Sequence, residues 1–435
     1  MSAAQLSITF FLQLFVILAA CRTVGWVVRR WLGQPQVVGE IIAGILLGPS
    51  LFGLLAPDIQ QMLFPPESRG VLYVGAQLGI GLCMFMVGLN FRIDHLGAQA
   101  RSAVAVSLSG VLVPFIAAVL ITPWLLHVPG LFGEGTFTVQ AMLFMGAALS
   151  ITAFPVLARI LQERGLADTR LGALALSAGA VGDVVAWVVL AVVLASIGAA
   201  GVSPPLAVLG VVMFLLFMLT LGRRLLAPLG RIAERHGRVG PELLAGVLML
   251  FLLAAFVSEM IGVHAVFGGF ILGVAMPRGL LNQEIRRQIE PFALVLLAPL
   301  FFAYSGLHTE LSVMSDPALL PIALVVLIGA VVTKFGACWA AARMTGLDNP
   351  TALGIGALMN ARGMMELILI NIALQAGLIG PALFSILVLV TVATTLMATP
   401  LFEHVYGRRA RQRGELGDLN EEPPEAPAIP AAIRD

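Results

Sequence analysis

Long apolar stretches, separated by short polar or basic segments, run along almost the whole chain. Most are about as long as the roughly 20 residues that an α-helix needs to cross the hydrocarbon core of a membrane. We therefore predict about 13 membrane-spanning helices. They are predicted to begin near Leu6, Pro35, Val71, Arg101, Phe137, Leu171, Pro205, Pro241, His264, Pro291, Pro317, Pro350 and Pro381.

The composition leads to the same structural class. Of 435 residues, 59% are hydrophobic and only 11% are charged, so a water-soluble core could not enclose this much apolar side chain. The fold class predicted is an all-α polytopic membrane protein. A net charge of +1 gives no reason to expect a nucleic-acid partner. The three cysteines lack CxxC spacing and are expected to be buried hydrophobic residues, and no resident cofactor is expected.

The arginines predict an orientation in the membrane. With about 13 spans, the loops on one side hold nearly all of them, whereas the loops on the other side hold only Arg69. Because basic residues in short loops stay in the cytoplasm, we predict an external N-terminus and a cytoplasmic C-terminus, in a cell (inner) membrane. The first apolar stretch has full spanning length and no preceding Lys or Arg, which argues against a cleaved signal peptide. Residues 406–435 are polar and rich in Pro and Glu, and are predicted to be a disordered cytoplasmic tail after a transmembrane domain at 1–405.

The two halves of the chain resemble each other. VGEIIAGILLGP at 38–49 aligns with VFGGFILGVAMP at 266–277, LCMFMVGLNFRI at 82–93 with LFFAYSGLHTEL at 300–311, and GAALSITAFPVL at 146–157 with GALMNARGMMEL at 356–367. Each match relates one predicted span to the span seven places later. Since seven is odd, the two copies cross the membrane in opposite senses. Inverted repeats of this kind are typical of secondary transporters.

The third aligned pair is interrupted by polar and helix-breaking residues. Ser150, Thr152 and Pro155 interrupt the fifth span, and Asn360, Arg362 and Gly363 interrupt the twelfth at equivalent positions. A simple kink satisfied by a neighbouring hydroxyl would explain either interruption alone. Because both copies are interrupted, we favour two helices broken near the membrane midplane, with Pro155 and Gly363 as the residues that break them.

Asp183 is the only aspartate inside a long apolar stretch, and it lies near the middle of the sixth predicted span. A carboxylate at that depth is costly unless it is paired or hydrated, and it is by default a functional residue. A carboxylate can hold a proton or a small cation, so competition at one alternately exposed site would couple their movements. Ser150, Thr152, Asn360 and carbonyls freed at the helix breaks could complete an oxygen shell around a monovalent cation.

Three other ionisable residues lie deep in the predicted spans. Lys334 is the only lysine of the chain and reaches a depth comparable to that of Asp183, so a salt bridge between them is geometrically allowed. Lys334 is either a structural counter-ion or a proton carrier, and both readings stay open. Arg362 and Glu366 are spaced i and i+4, and we favour their neutralising each other and the ends of the broken helices over a direct part in ion binding or proton coupling.

Four motifs identify a family. The runs ALSITAFPVLARIL, LSAGAVGDVVAW, TKFGACWAAA and LMNARGMMELILIN resemble the monovalent cation:proton antiporter family that includes Kef-type transporters and plant cation/H+ exchangers. The resemblance covers nearly the whole chain to about residue 405 and implies a homodimer with 13 helices in each protomer. It implies a six-helix core, at about 101–198 and 317–405, that moves like an elevator against a scaffold. It also implies that Asp183 binds the ion and that Lys334 is the family's membrane-embedded lysine.

The chain departs from the family pattern in two places. Many members have Asn, Gln or a second Asp before the ion-binding aspartate, whereas this chain has Gly182. Without a second carboxylate, one-for-one electroneutral exchange is expected if Lys334 does not titrate. Kef-type members continue into a nucleotide-binding regulatory domain that is not present in this sequence, so gating by nucleotides or glutathione within this polypeptide is not expected.

The predicted function is therefore exchange of Na+ or K+ for H+, without enzymatic activity. The alternative is a sodium-coupled organic-anion symporter on a similar inverted-repeat fold. A channel or structural membrane protein is a third reading. The AVGD run at 180–183 resembles the GxGD motif of intramembrane aspartyl proteases, but that chemistry needs a second membrane aspartate, which this sequence lacks.

Overall fold

A computed structural model describes residues 2–90, 100–166, 169–197, 204–261, 264–309, 316–407 and 409–410. Most of the predicted tail lies outside these ranges. The described residues are almost entirely helical, and their only β-bridge joins Phe132 to Ile379. The helices are α1 (Ala3–Leu32), α2 (Gln36–Leu47), α3 (Phe52–Leu55), α4 (Pro57–Leu63), α5 (Pro66–Asn90), α6 (Ala100–Leu126), α7 (Thr138–Ser150), α8 (Phe154–Glu163), α9 (Arg170–Ile197), α10 (Pro204–Phe217), α11 (Arg223–His236), α12 (Pro241–Ile261), α13 (Ala265–Ala275), α14 (Leu280–Phe292), α15 (Ala298–Gly306), α16 (Leu319–Met344), α17 (Asn349–Leu358), α18 (Met364–Gln375) and α19 (Pro381–Phe402).

The multi-pass architecture is confirmed. Among the described residues, nine helical segments are long and apolar enough to cross a membrane, and shorter apolar stretches begin at Thr138, Arg170, Ala265 and Met364. The count of about 13 spans stays a prediction. Large apolar side chains such as Leu120 (74% exposed) cover the outer surface, as a lipid solvent requires.

One predicted helix start is wrong, and two arginines that were counted among the loop residues lie in a helix. The tenth span was predicted to begin at Pro291, but α14 begins at Leu280 and Pro291 lies inside it. A π-helical turn at Ala293–Leu297 follows the proline and joins α14 to α15. This turn lets the helix continue past a proline, which has no backbone N–H to donate. In the seventh span, Arg223 and Arg231 are not in a loop, because a π-helical turn at Met218–Gly222 continues α10 into α11.

The packing reproduces the predicted inverted repeat. Helix α2 packs against α15, and α13 packs against α5. Helices α2 and α15 are the second and tenth spans, and α13 and α5 are the ninth and third. Because the repeat relates the second span to the ninth and the third to the tenth, the two contacts are equivalent. Helices α6 and α16, the fourth and eleventh spans, pack against each other in the middle.

Glycines set the closeness of these crossings. Helices α5 and α13 meet at Gly88 and Gly273, where a side chain on Gly88 would collide with the Phe270 carbonyl oxygen and one on Gly273 with the Phe85 carbonyl oxygen. Small residues at such positions let two backbones approach closely, which is how helices gain packing energy in a membrane.

We predict that Gly88→Ala destabilises the protein by about 2 kcal/mol, because the added methyl group overpacks a contact made by rigid backbone. Gly329→Ala is the matched control, since Gly329 lies in α16 and no atom lies within 4 Å of the position its Cβ would take. The measurement is the melting temperature of each detergent-solubilised variant. Equal melting temperatures for both variants would contradict a packing role for Gly88.

Candidate functional site

Two helices break and cross in the interior. Helix α7 ends at Ser150, residues 151–153 are not helical, and α8 begins at Phe154. Helix α17 ends at Leu358 and α18 begins at Met364. The two predicted breaks are therefore present. The links touch directly, because the Ala153 amide donates a hydrogen bond to the Ala361 carbonyl at 3.0 Å.

The residues predicted to break the helices lie at the starts of the second halves. Pro155 is the second residue of α8, a position where its missing N–H costs nothing, and its side chain lies outside the described residues. Gly363 is the N-cap of α18 in extended backbone, which other residues also adopt. Its lack of a side chain matters for packing, because a Cβ there would stand 2.8 Å from Val156 Cγ2 of α8.

Two cationic side chains cap the C-terminal end of α7. The Arg362 guanidinium donates to the carbonyl oxygens of Ala148 at 2.6 Å and Leu149 at 2.7 Å, and the Lys334 ammonium donates to that of Ser150. The last carbonyls of a helix have no intrahelical partner and carry its partial negative charge. Lys334 and Arg362 therefore satisfy these groups and neutralise that charge inside the protein.

Arg362 also forms the buried ion pair predicted from its spacing. Its Nη1 lies 2.9 Å from Glu366 Oε1, and both side chains are fully buried. Glu366 lies in the first turn of α18, where a negative charge is stabilised by the helix dipole. Thr395 of α19 contacts the segment between α17 and α18. Its hydroxyl donates to the Arg362 carbonyl at 2.8 Å and lies 3.2 Å from the Arg362 amide.

The C-terminal end of α17 has neutral partners instead. The Thr152 hydroxyl donates to the Met359 carbonyl at 3.2 Å, and the Asn360 side-chain amide donates to the Gly356 carbonyl at 3.0 Å. Asn360 is only 2% exposed, and within the part of the chain that the structure describes its Oδ1 has no hydrogen-bond partner. This end of the site thus retains a buried oxygen acceptor and an uncompensated partial negative charge.

Ser150 contributes mainly through its backbone. Its hydroxyl lies 3.0 Å from the Val111 carbonyl of α6 and also close to the Gly146 carbonyl of its own helix. Since a hydroxyl has one proton to donate, its oxygen keeps lone pairs that can accept from a proton donor or contact a cation.

Asp183 lies 13 residues after the first residue of α9 and 14 before the last, at the middle of the helix. Its side chain lies outside the described residues, so the salt bridge with Lys334 that the sequence allows is not tested. Helix α9 packs against α6, α7 and α8, which brings its midpoint to the side of the first break. Helix α16, which carries Lys334, packs against α6, α17 and α19, and α17 also contacts α9.

Two polar residues of this region were missed in the sequence. Thr395 supports the Arg362 link, and Ser107 of α6 lies against α9 beside Gly182. Isolated hydroxyls in apolar helices usually bond their own backbone, so neither residue stands out from its neighbours in sequence.

The comparison with known families decides the identity. A family model described as the transmembrane domain of the sodium/hydrogen exchanger matches residues 15–405. The chain belongs to the sodium/hydrogen exchanger family. This confirms the family resemblance identified from the four motifs.

Relatives in this exchanger family are named as antiporters. The chain is 36% identical over 398 residues to the Na(+)/H(+) antiporter NhaS4 of Synechocystis, covering 91% of this chain and 96% of that protein. It is 28% identical over 407 residues to the Na(+)/H(+)-K(+) antiporter GerN of Bacillus cereus, covering 92% of this chain and 97% of the other. It is also 36% identical to the cation/H(+) antiporter 17 of Arabidopsis thaliana, covering 91% of this chain, but it spans only 48% of that protein.

A solved structure shows the same fold. The sodium proton antiporter MjNhaP1 from Methanocaldococcus jannaschii at pH 8 matches with a TM-score of 0.64 and 16% identity, covering 96% of this chain and 100% of that chain. The fold class is confirmed. Family and relatives are transporters, and none of the comparisons supports the organic-anion symporter alternative.

We predict that Arg362→Met lowers the free energy of unfolding by about 3–5 kcal/mol, because it leaves Glu366 as a buried unpaired charge and two α7 carbonyls without donors. The matched control is Arg286→Met, which removes an i,i+4 pair with Glu290 in which both side chains are partly exposed. Its expected cost is below about 1 kcal/mol.

Thermal unfolding in detergent measures both effects. Adding Glu366→Met to Arg362→Met should recover part of the lost stability, since no unpaired carboxylate then remains in the interior. If Arg362→Met and Arg286→Met shifted the melting temperature equally, the buried pair would not have the proposed structural role.

Proposed function

We propose that this exchanger-family member moves a monovalent cation, Na+ or K+, across the membrane in exchange for H+. The observation that carries the proposal is the crossing of two broken helices, one capped by cations and the other by neutral groups, beside the midpoint of the helix that carries Asp183. Broken helices with oriented ends are a recurrent way to build an ion site in a membrane. The named activities of the relatives, Na+/H+ and K+/H+ antiport, support the same reaction.

Competition at Asp183 would couple the two fluxes. A protonated Asp183 carries no charge to attract a cation, whereas the carboxylate attracts one. The Asn360 Oδ1 and the Thr152 hydroxyl oxygen are available acceptors near the α17 end, and carbonyl dipoles there favour a positive charge. Protonation on one side and cation binding on the other would then exclude each other at the same carboxylate.

Lys334 is better suited to a structural role than to proton transport. It is 1% exposed, and its ammonium donates to the Ser150 carbonyl at the negatively polarised end of α7. A cation held in this way offsets the helix end throughout the cycle, so only Asp183 would change its charge. The exchange would then be electroneutral, with one proton for each cation.

Alternating access would be achieved by moving the core against the scaffold. The core comprises α6 to α9 and α16 to α19, at about 101–198 and 317–405 of the sequence, and the remaining helices form the scaffold. Polar contacts cross this boundary at isolated points, such as Gln34 to the Leu396 carbonyl at 3.2 Å and Asn371 to the Ser305 hydroxyl at 3.0 Å. Such contacts can be exchanged during an elevator-like movement.

The scaffold would mediate a homodimer within the lipid bilayer. By the arginine distribution, the N-terminus lies outside the cell (inner) membrane and the C-terminus lies in the cytoplasm.

We predict that Asp183→Asn abolishes cation-dependent proton flux, because an amide neither ionises nor titrates. Proteoliposomes with an imposed pH gradient and an internal pH-sensitive dye are given Na+, K+ or Li+, and the wild type should collapse the gradient with at least one of them. Ser258→Ala, on the distant helix α12, is the control for expression and reconstitution. Full flux in Asp183→Asn, or no response of the wild type to any cation, would overturn the proposal.

Electroneutrality predicts that the exchange rate does not depend on membrane potential. The same vesicles can be clamped with valinomycin at positive, zero and negative potentials, using Na+ as the exchanged cation. The initial rate should stay constant within error in the wild type. A rate that changes systematically with potential would show net charge movement and would move Lys334 to the proton-carrying role.

A further inference from the structure

Ser107 has an unusual hydroxyl for a residue inside an apolar helix. It lies on α6, it is 1% exposed, and its Oγ has no hydrogen-bond partner among the described residues. Several buried threonines donate to the carbonyl four residues earlier, as Thr122 does in the same helix at 2.6 Å and Thr391 does in α19 at 2.8 Å, whereas Ser258 and Thr399 lack a partner as Ser107 does. A buried hydroxyl without a partner is destabilising, so its presence requires an explanation.

The direction in which the Ser107 hydroxyl points supplies an explanation. A Cβ built on Gly182 of α9 would stand 3.3 Å from Ser107 Oγ, so the oxygen faces α9 at the residue immediately before Asp183. Helix α6 also packs against α16, where Cys338 Sγ lies 3.8 Å from the Val106 carbonyl. Ser107 itself is directed at α9, beside the residue that precedes Asp183.

The same face of α6 also reaches the first helix break. Val111 follows Ser107 by about one helical turn, about 6 Å along the axis. Its carbonyl oxygen lies 3.0 Å from the Ser150 hydroxyl at the end of α7. Val111, Ala147, Ser150, Ile151 and Val189 meet where α6, α7 and α9 pack together. Ser107 therefore lies one turn from the junction between the break and the aspartate helix.

We propose that Ser107 supplies an oxygen to the cation-binding site beside Asp183 and is a determinant of cation affinity and selectivity. The inference rests on the proposed exchange at Asp183 and adds α6 to the elements that build the site. The hydroxyl oxygen contacts the cation through its lone pairs when the carboxylate is ionised and the cation is bound. Gly182 has no side chain to fill the space beside this hydroxyl.

Ser107→Ala tests the proposal, with Ser258→Ala as its matched control. Ser258 is also a 1% exposed serine whose hydroxyl has no partner, but it lies on α12, away from the broken helices. In proteoliposomes, Ser107→Ala should raise the apparent KM for the transported cation about five-fold, the effect of one lost polar contact. It should also change the relative KM values of Na+, K+ and Li+, whereas Ser258→Ala should leave them within about two-fold of the wild type.

A binding readout separates affinity from transport. Cation added to the purified protein in detergent should raise the wild-type melting temperature, because a ligand that binds only the folded state stabilises it. Ser107→Ala should need a several-fold higher cation concentration for the same rise, starting from a cation-free melting temperature close to that of Ser258→Ala. Ser107→Ala/Gly182→Ser should recover the lost affinity, because it returns a hydroxyl to the same junction from α9.

The outcomes distinguish this inference from the function on which it rests. If the wild type exchanges cations and Asp183→Asn does not, but Ser107→Ala matches Ser258→Ala in KM and in cation-induced stabilisation, Ser107 has no part in the site. Failure of the Gly182→Ser rescue in a folded double variant would also count against it. If the wild type itself shows neither cation-dependent flux nor cation-induced stabilisation, the proposed function and this inference fall together.

Discussion

The structure depends on how it satisfies the backbone groups that two broken helices release in the interior of the protein. Lipid offers no hydrogen bonds, so each freed carbonyl and amide must find a partner within the chain. At α7 those partners come from distant segments, since Lys334 lies on α16 and Arg362 on the opposite link. The breaks are therefore stable only together and only with α16 and α19 in place, which ties four spans into one polar centre.

The two halves of the repeat are alike in backbone but differ in charge. The end of α7 is neutralised by Lys334 and Arg362, whereas the equivalent end of α17 is contacted by Thr152 and Asn360, which carry no charge. A fully symmetric centre would either repel a cation from both ends or hold cations at both. The asymmetry leaves one end of the crossing with partial negative charge, and an alternating-access exchanger needs one mobile positive charge at such a centre.

Much of this centre could be predicted from the sequence, because its signals are local. Polar and helix-breaking residues marked both breaks, and the i,i+4 spacing of Arg362 and Glu366 gave their ion pair. Other features depend on contacts between segments far apart in sequence. Neither the role of Thr395 in holding the Arg362 link nor the approach of Ser107 to Gly182 has a local signature. Pro291 misled the prediction for a different reason, since a π-helical turn can continue a helix past a proline.

Helices in this protein meet either through glycines, backbone to backbone, or through single polar side chains, and the difference bears on the proposed elevator-like movement. Within the scaffold, helices cross through glycines such as Gly88 and Gly273, where backbone meets backbone and no side chain can rotate to permit sliding. Across the boundary to the core, polar contacts such as Gln34 with the Leu396 carbonyl come from single side chains, which can change partners at small cost. In the elevator movement proposed above, a rigid-body displacement along that boundary would preserve both the glycine crossings and the contacts that Lys334 and Arg362 make at the end of α7.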